Sequence, residues 1–320
     1  MLFRLMYLET ILSIVGGLVL FLFAVISLSD LLKSLAAEKS KEWLVRFTGN
    51  LFTAIVTGTI ITAILDSSSA VIIITIIFVN SGIMNFRQAM GIVMGANIGT
   101  TISSQIIAMD VGKYSPMALG FGLFLIFISK SERWSNTGRI FLFFGMLFFG
   151  LYTMERAVVP LKQSTAFNQL MNDLNNPLSG TLAGALVTLV IQSSSATVGM
   201  AITLAKQNAI SLGAAIAVML GAELGTCSDT LFATIRTNRQ AMKTGLFHFL
   251  FNLSSIALGL LFFNQFVALV ALVSGGADEA RQVANAHMLF NLMGVLVFVW
   301  FVPYFERALN YLLPDKNTIA

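Results

Sequence analysis

The amino-acid sequence predicts an all-α polytopic membrane protein made of two inverted repeats, each with a re-entrant helical hairpin and a discontinuous transmembrane helix. Three observations lead there. The 320 residues are 57% hydrophobic and only 11% charged, whereas a soluble domain carries roughly 25% charged residues. No soluble core could bury that much apolar surface, so lipid is the solvent. Apolar stretches able to cross a bilayer, about 20 residues each, recur along the whole chain. Finally, one polar pattern occurs twice inside such stretches. Asp66-Ser67-Ser68-Ser69-Ala70 precedes Gly95-Ala96-Asn97-Ile98-Gly99-Thr100, and Gln192-Ser193-Ser194-Ser195-Ala196 precedes Gly221-Ala222-Glu223-Leu224-Gly225-Thr226. Ser193 and Gly221 both lie 126 residues after their counterparts Ser67 and Gly95, and Gly58/Gly184, Thr62/Thr188 and Ala89/Ala215 keep the same offset.

Taken in order, Leu8–Leu32 is the first span. It is longer than the ~7–15 residues of a secretory signal core, so it reads as a retained helix, followed by a basic loop to residue 48. Gly49–Gly82 is too long for one upright span and too short for two plus a loop. With serines near its middle it reads as a hairpin that enters, turns and leaves on the same side, which is tolerated only where protein or a water cavity covers the turn. Phe86–Met109, broken at its glycines, and Ser115–Ser129 complete the first repeat, 49–137. Gly138–Met154 is a linking span inside 138–176. Pro177–Gln207, Leu212–Ile235 and Thr244–Val270 form the second repeat, 177–272, and Val283–Pro303 is the last span of 273–320. The first hairpin follows one crossing and the second follows four, so they enter from opposite faces, as in inverted-repeat transporters. This count puts thirteen Lys and Arg on the side reached after the first span and six on the other. The bias places the C-terminus in the cytoplasm and the N-terminus outside. Reading each hairpin as a single span would move Arg87 off the basic side. No Lys/Arg run suggests nucleic acid, and the single cysteine, Cys227, permits neither an internal disulfide nor a cysteine metal site.

The chemistry should sit at the breaks. A serine run at a hairpin tip caps the returning helix and gathers hydroxyls and free N–H groups at the positive end of its dipole. Helix N-termini of this kind bind phosphate-like anions, so two tips from opposite faces could clamp one oxyanion. That makes Ser67, Ser68, Ser69, Gln192, Ser193, Ser194 and Ser195 the candidate substrate ligands. The bland alternative, serines bonding back to carbonyls or allowing close helix contact, explains one serine better than two matched triplets. At Gly95–Thr101 the competing reading is close packing across the glycines. Unwound backbone there, with Asn97, Thr100 and Thr101, and Thr226 in the second copy, would instead suit sodium. Asp66 and Glu223 are carboxylates in apolar surroundings and so are functional candidates, assigned here to the ion site. Asp66 is alternatively the N-cap of its returning helix. Negative charge beside an anion requires a cation, which is a physical basis for coupling. Asp229 lies six residues beyond Glu223, off its helix face. His248/Asn252 and His287/Asn291 share a His-x-x-x-Asn spacing and read as interhelical packing elements.

The duplicated Ser-Ser-Ser with Gly-Ala-Asn-Ile-Gly-Thr-Thr, together with His-x-x-Phe-Asn, closely resembles the type II sodium/phosphate cotransporter family from about Gly49 to Leu292. The resemblance implies sodium-driven movement of inorganic phosphate or a related small oxyanion by alternating access. The protein is then no enzyme, needs no cofactor beyond Na+ as coupling ion, and sits in a bacterial-type inner membrane, with room for a homo-oligomer. By motif, the family's site falls on Ser67, Ser68, Ser69, Asn97, Thr100 and Thr101, and on Gln192 to Ser195 with Thr226. The chain departs from the family at Asp66, at Glu223-Leu224 and at Cys227, and the first half has no His-x-x-Phe-Asn element of its own. Two other readings stay open. One is a proton-coupled or cation carrier using Asp66 and Glu223. The other, more distant, is an intramembrane hydrolase, which would need His248 or His287 beside a tip serine.

Overall fold

The computed structural model describes residues 2–314, with side chains from residue 8. Lys316, counted in the charge bias, lies outside the described residues, as does the Arg4 side chain. Among the described residues all regular structure is helical. In chain order the helices are α1 (Leu2–Arg46), α2 (Leu51–Leu65), α3 (Ser68–Asn80), α4 (Phe86–Ile107), α5 (Ser115–Ile128), α6 (Glu132–Leu161), α7 (Thr165–Asp173), α8 (Pro177–Ile191), α9 (Ser194–Lys206), α10 (Leu212–Gly225), α11 (Cys227–Ala233), α12 (Arg239–Leu261), α13 (Phe263–Val273), α14 (Glu279–Phe298) and α15 (Val302–Leu312). Five segments are long and apolar enough to cross a bilayer, and seven if α4 with α5 and α7 with α8, bent by 71° and 99°, each count as one. The chain is a multi-pass membrane protein.

The two predicted hairpin regions fold alike. Each is an arm of 15 residues followed by one of 13. At 1.5 Å per residue these arms reach only about 20–22 Å, short of a hydrocarbon core of about 30 Å. Their starts are set by matching caps, with Asn50 and Asn176 accepting from the first-turn amides of α2 and α8. Asn85 and Ser211 do the same for α4 and α10. Both mouths are closed locally. The Gln88 side chain donates to the Thr48 carbonyl at 2.7 Å, bringing the start of α4 back to the start of α2. The Ser211 hydroxyl lies 2.5 Å from Asn175, doing the same for α10 and α8.

Packing repeats as well. A Cβ added at Gly95 or Gly221 would land on the carbonyl oxygen of Ile55 or Thr181, and one at Gly58 or Gly184 on that of Ile92 or Val218. Thus α2 meets α4, and α8 meets α10, backbone to backbone. Small residues permit this where lipid offers no hydrophobic drive. Two apolar clusters fill the interior, each drawing on both repeats. The first is rich in Ile, Met and Phe, including Ile61, Ile72, Met90 and Phe247. The second is rich in alanine, including Ala196, Ala201, Ala214, Ala215 and Ala217. A third layer packs α1 and α5 against α6, while α12 and α14 each touch both halves.

Three sequence expectations need correction. The basic stretch after Leu32, expected as a loop to residue 48, is helical, since α1 continues to Arg46. The discontinuous helix of the first repeat is absent, because α4 runs unbroken through Gly95–Thr101. Its glycines serve close contact with α2, and the Thr100 and Thr101 hydroxyls donate back to the Ala96 and Ile98 carbonyls. The second repeat does interrupt its helix, at Thr226 between α10 and α11. The predicted single span Thr244–Val270 is two helices, α12 and α13, parted at Phe262.

Candidate functional site

Each hairpin turns over two residues. Asp66 (φ 51°) and Gln192 (φ 58°) take the left-handed conformation after the incoming arm. That conformation is costly for an L-residue, by roughly 1–2 kcal/mol, and both halves retain it. Ser67 and Ser193 then adopt extended backbone and cap α3 and α9, their hydroxyls accepting from the Ala70 and Ala196 amides at 3.2 Å. The N-cap is therefore Ser67, and Asp66 is the turn residue before it. Capping satisfies one orphan amide. By their position in the first turn, the amides of Ser68 and Ser69, and of Ser194 and Ser195, still have no intrahelical acceptor.

The two tips meet. Asp66, Ser67, Ser68, Ser69, Thr100, Gln192, Ser193, Ser194, Ser195 and Thr226 line one small polar cavity of about 50 Å³, room for a few water-sized groups. All seven expected substrate ligands are thus together, and three of the six expected ion ligands are with them. The tips also touch across the halves: the Ser69 hydroxyl lies 3.3 Å from Thr226 Oγ1 and donates to Asp229 Oδ2 at 3.0 Å. Asp66 accepts a hydrogen bond from the Ser103 hydroxyl and borders a second, mainly apolar cavity of about 80 Å³ that Ser103 and Ser195 also reach. Ser103 and Asp229 occupy equivalent repeat positions, and two carboxylates flank the first tip, Asp66 on its turn and Asp229 reaching Ser69 from the second half.

Asn97, Thr101 and Glu223 do not line the cavity. The Asn97 amide donates to Asn252 Oδ1 at 2.5 Å, and Asn252 in turn donates to the Glu223 carbonyl at 2.7 Å. Glu223 Oε1 lies 2.7 Å from His287 Nε2, and His287 Nδ1 lies 2.6 Å from Ser104 Oγ, with all three side chains buried. His248 Nδ1 makes the matching contact to Thr230 at 2.8 Å. Thr230 is the repeat counterpart of Ser104, so α14 supplies to the first half the histidine that its own sequence lacks. The contacts of Ser103, Asp229 and His287 were not foreseen. The repeat offset linking Ser103 with Asp229, and Ser104 with Thr230, was the available signal.

Comparison with known proteins agrees with this duplicated architecture. The family model described as Na+/Pi-cotransporter matches residues 20–156 and 158–298, once per half. The chain is 30% identical over 284 residues to the uncharacterized protein YqeW of Bacillus subtilis, covering 88% of this chain and 92% of that one. It is 27% identical over 259 residues to YjbB of Escherichia coli K12, named for inorganic phosphate export, covering 80% of this chain but only 47% of YjbB. A 73-residue segment, 22% of this chain and 11% of the relative, is 38% identical to sodium-dependent phosphate transport protein 2B of Homo sapiens. No solved structure matches the chain significantly. The two-part match and the paired serine tips together establish that this chain belongs to the Na+/Pi-cotransporter family.

Proposed function

We propose that the chain is a secondary transporter coupling Na+ to the movement of inorganic phosphate or a related small oxyanion by alternating access across the plasma membrane. The observation that carries this reading is the convergence of two serine-lined helix N-termini on one small cavity. Amides of Ser68, Ser69, Ser194 and Ser195 and the surrounding hydroxyls supply donors to an oxyanion, and two dipole ends face it. Asp66, Thr100 and Thr226 offer oxygen ligands to a hard cation at the same place. A bound sodium ion would offset the repulsion between Asp66 and the anion, so each ion favours the other. Asn97, Thr101 and Glu223 act in this conformation as packing links.

The re-entrant, inverted arrangement belongs to the same proposal. Its support is that the mouth of the first hairpin lies with the N-terminal end of α4, while Lys206, ending the second hairpin, bonds Asp110, just beyond the C-terminal end of α4. A helix of 22 residues is about 33 Å long, so the hairpins open at opposite ends of the bundle. We place the end bearing Arg87 in the cytoplasm on the charge bias. The direction of net phosphate movement follows the gradients.

The Glu223–His287 contact is the observation favouring the proton-coupled alternative. Hydrolysis has less support. Ser104, His287 and Glu223 include the residue types of a triad, but Ser104 is fully buried, with no surface for a substrate, and the tip serines have no histidine partner among the described contacts. Radiolabelled phosphate uptake into proteoliposomes tests the proposal. Uptake should require an inward sodium gradient; uptake driven by a pH step in choline buffer would replace it with proton coupling.

A further inference from the structure

The two ends of the bundle are built differently. At the mouth of the first hairpin a vestibule of about 1000 Å³ is lined by Asn50, Asn85, Arg87, Gln88, Asn238 and Asn310, among others. There the last residue of the outgoing arm, Asn80, is held through neutral groups only, accepting from the Asn238 backbone and side-chain amides at 2.8 Å. Its repeat counterpart in the second half is Lys206. The Lys206 ammonium donates to Asp110 Oδ1 at 2.8 Å and to Glu155 Oε1 at 2.6 Å. Asp110 follows α4 of the first half, and Glu155 lies on α6, the linking helix outside both repeats. One lysine thus joins the second hairpin to both of the bodies beside it. A second contact reinforces the joint: Lys162, at the end of α6, donates to the Gln207 carbonyl at 2.7 Å. The neighbouring cations Arg156 and Lys113 make no hydrogen bond to the trio among the described contacts, while Lys113 adds a weaker attraction on Asp110. Arg156 stacks on Tyr152 and Lys113 on Tyr114.

We propose that Lys206, Asp110 and Glu155 form an ionic latch that keeps shut the end of the bundle opposite the vestibule. The far end of α9 carries Ser194 and Ser195 at the tip cavity. Opening a path to that cavity from the Lys206 end requires α9 to part from α4 and α6, which breaks both ion pairs together. Lys206 and Glu155 keep only 25% and 15% of their side-chain surface, so solvent screens that pair less than an ordinary surface pair, while the Asp110 partner is exposed. The equivalent contact at the vestibule end, Asn80 with Asn238, has no ion pair to separate. The latch therefore biases the resting protein toward the vestibule-open form. Lys206 acts as a positioning residue and touches no substrate. This inference rests on the alternating-access reading for its meaning, but its test needs neither sodium nor phosphate.

Ala205, fully buried beside Lys206, can report opening. The parent protein carries Ala205→Cys on a Cys227→Ala background, in lipid nanodiscs and choline buffer, and the rate of maleimide labelling is measured. Lys206→Gln, and independently Glu155→Gln, should each raise that rate, Lys206→Gln by about tenfold, as expected for losing charged hydrogen bonds. Lys113→Gln, which removes no hydrogen bond from the trio, should change it far less. Lys206→Arg, which keeps the charge and donors for both carboxylates, should keep labelling slow. Equal rates in the parent and both neutralised variants overturn the latch, as does an equal rise in Lys113→Gln. If sodium-driven uptake is absent but labelling follows this pattern, the coupling proposal fails and the latch stands.

Discussion

Substituting Gly95 by alanine tests whether backbone contact between α2 and α4 positions the tip cavity. The added Cβ would fall on the Ile55 carbonyl oxygen, and even its next neighbours, Ile55 C and Thr59 N, would be only 2.8 Å away, 0.6 Å inside the 3.4 Å at which ordinary contact begins. Backbone cannot rotate aside as a side chain can, so the helices must separate. The Thr59 hydroxyl, which donates to the Gly95 carbonyl at 3.0 Å, would be disturbed as well. Overpacking costs up to about 3 kcal/mol, against a gain of up to about 1 kcal/mol in helix propensity, leaving a net loss of about 2 kcal/mol. Because α2 ends at Asp66, the same shift displaces the turn that lines the cavity. Thermal unfolding in detergent should show a midpoint several degrees below wild type, and Gly221→Ala, whose Cβ meets the Thr181 carbonyl, should behave alike. Gly16→Ala, with nothing within 4 Å, is the control. Midpoints for Gly95→Ala and Gly221→Ala no lower than that of Gly16→Ala would refute the account of both glycines.

Ser194→Ala removes one hydroxyl from the cavity and should weaken phosphate binding in sodium buffer about five- to tenfold by calorimetry; an unchanged affinity would count against the clamp. Asp66→Gln copies the second tip and should raise the sodium concentration for half-maximal uptake about tenfold or more. If sodium dependence stays put, Asp66 is only a turn residue. His287→Ala leaves the Glu223 carboxyl buried without its partner and should cost about 3–5 kcal/mol in unfolding, partly recovered by adding Glu223→Asn. Equal losses in the single and double variants would deny the coupling. The Lys206 ammonium, donating to Asp110, holds that exposed carboxyl below its ordinary range. A depressed native value means that the pair stabilises fully above the unfolded-state value near 3.9 and fades as pH falls from there through the native value. The unfolding midpoints of wild type and Asp110→Asn should therefore differ at neutral pH and converge in acid; a constant gap would exclude the linkage.

The tips were legible in the sequence because their causes are local. A serine after an apolar run caps the helix that follows it, and the 126-residue offset repeats Ser67–Ser69 at Ser193–Ser195. The meeting of the two tips followed from that pattern. What Gly95 and Gly99 do was undecidable locally, since the same Gly-x-x-x-Gly spacing serves an unwound turn or a close helix crossing. Only the approach of Ile55 and Thr59 settles it in favour of the crossing. The partners of Glu223, Asp229 and Ser104 are of the same kind. Glu223 meets a histidine 64 residues away, Asp229 a serine 160 residues away, and Ser104 the same His287 across 183 residues. Such contacts depend on how α11 meets α3 and how α14 packs against both halves. That arrangement is set by shape and small-residue contact over several helices at once, and no single stretch of sequence encodes it.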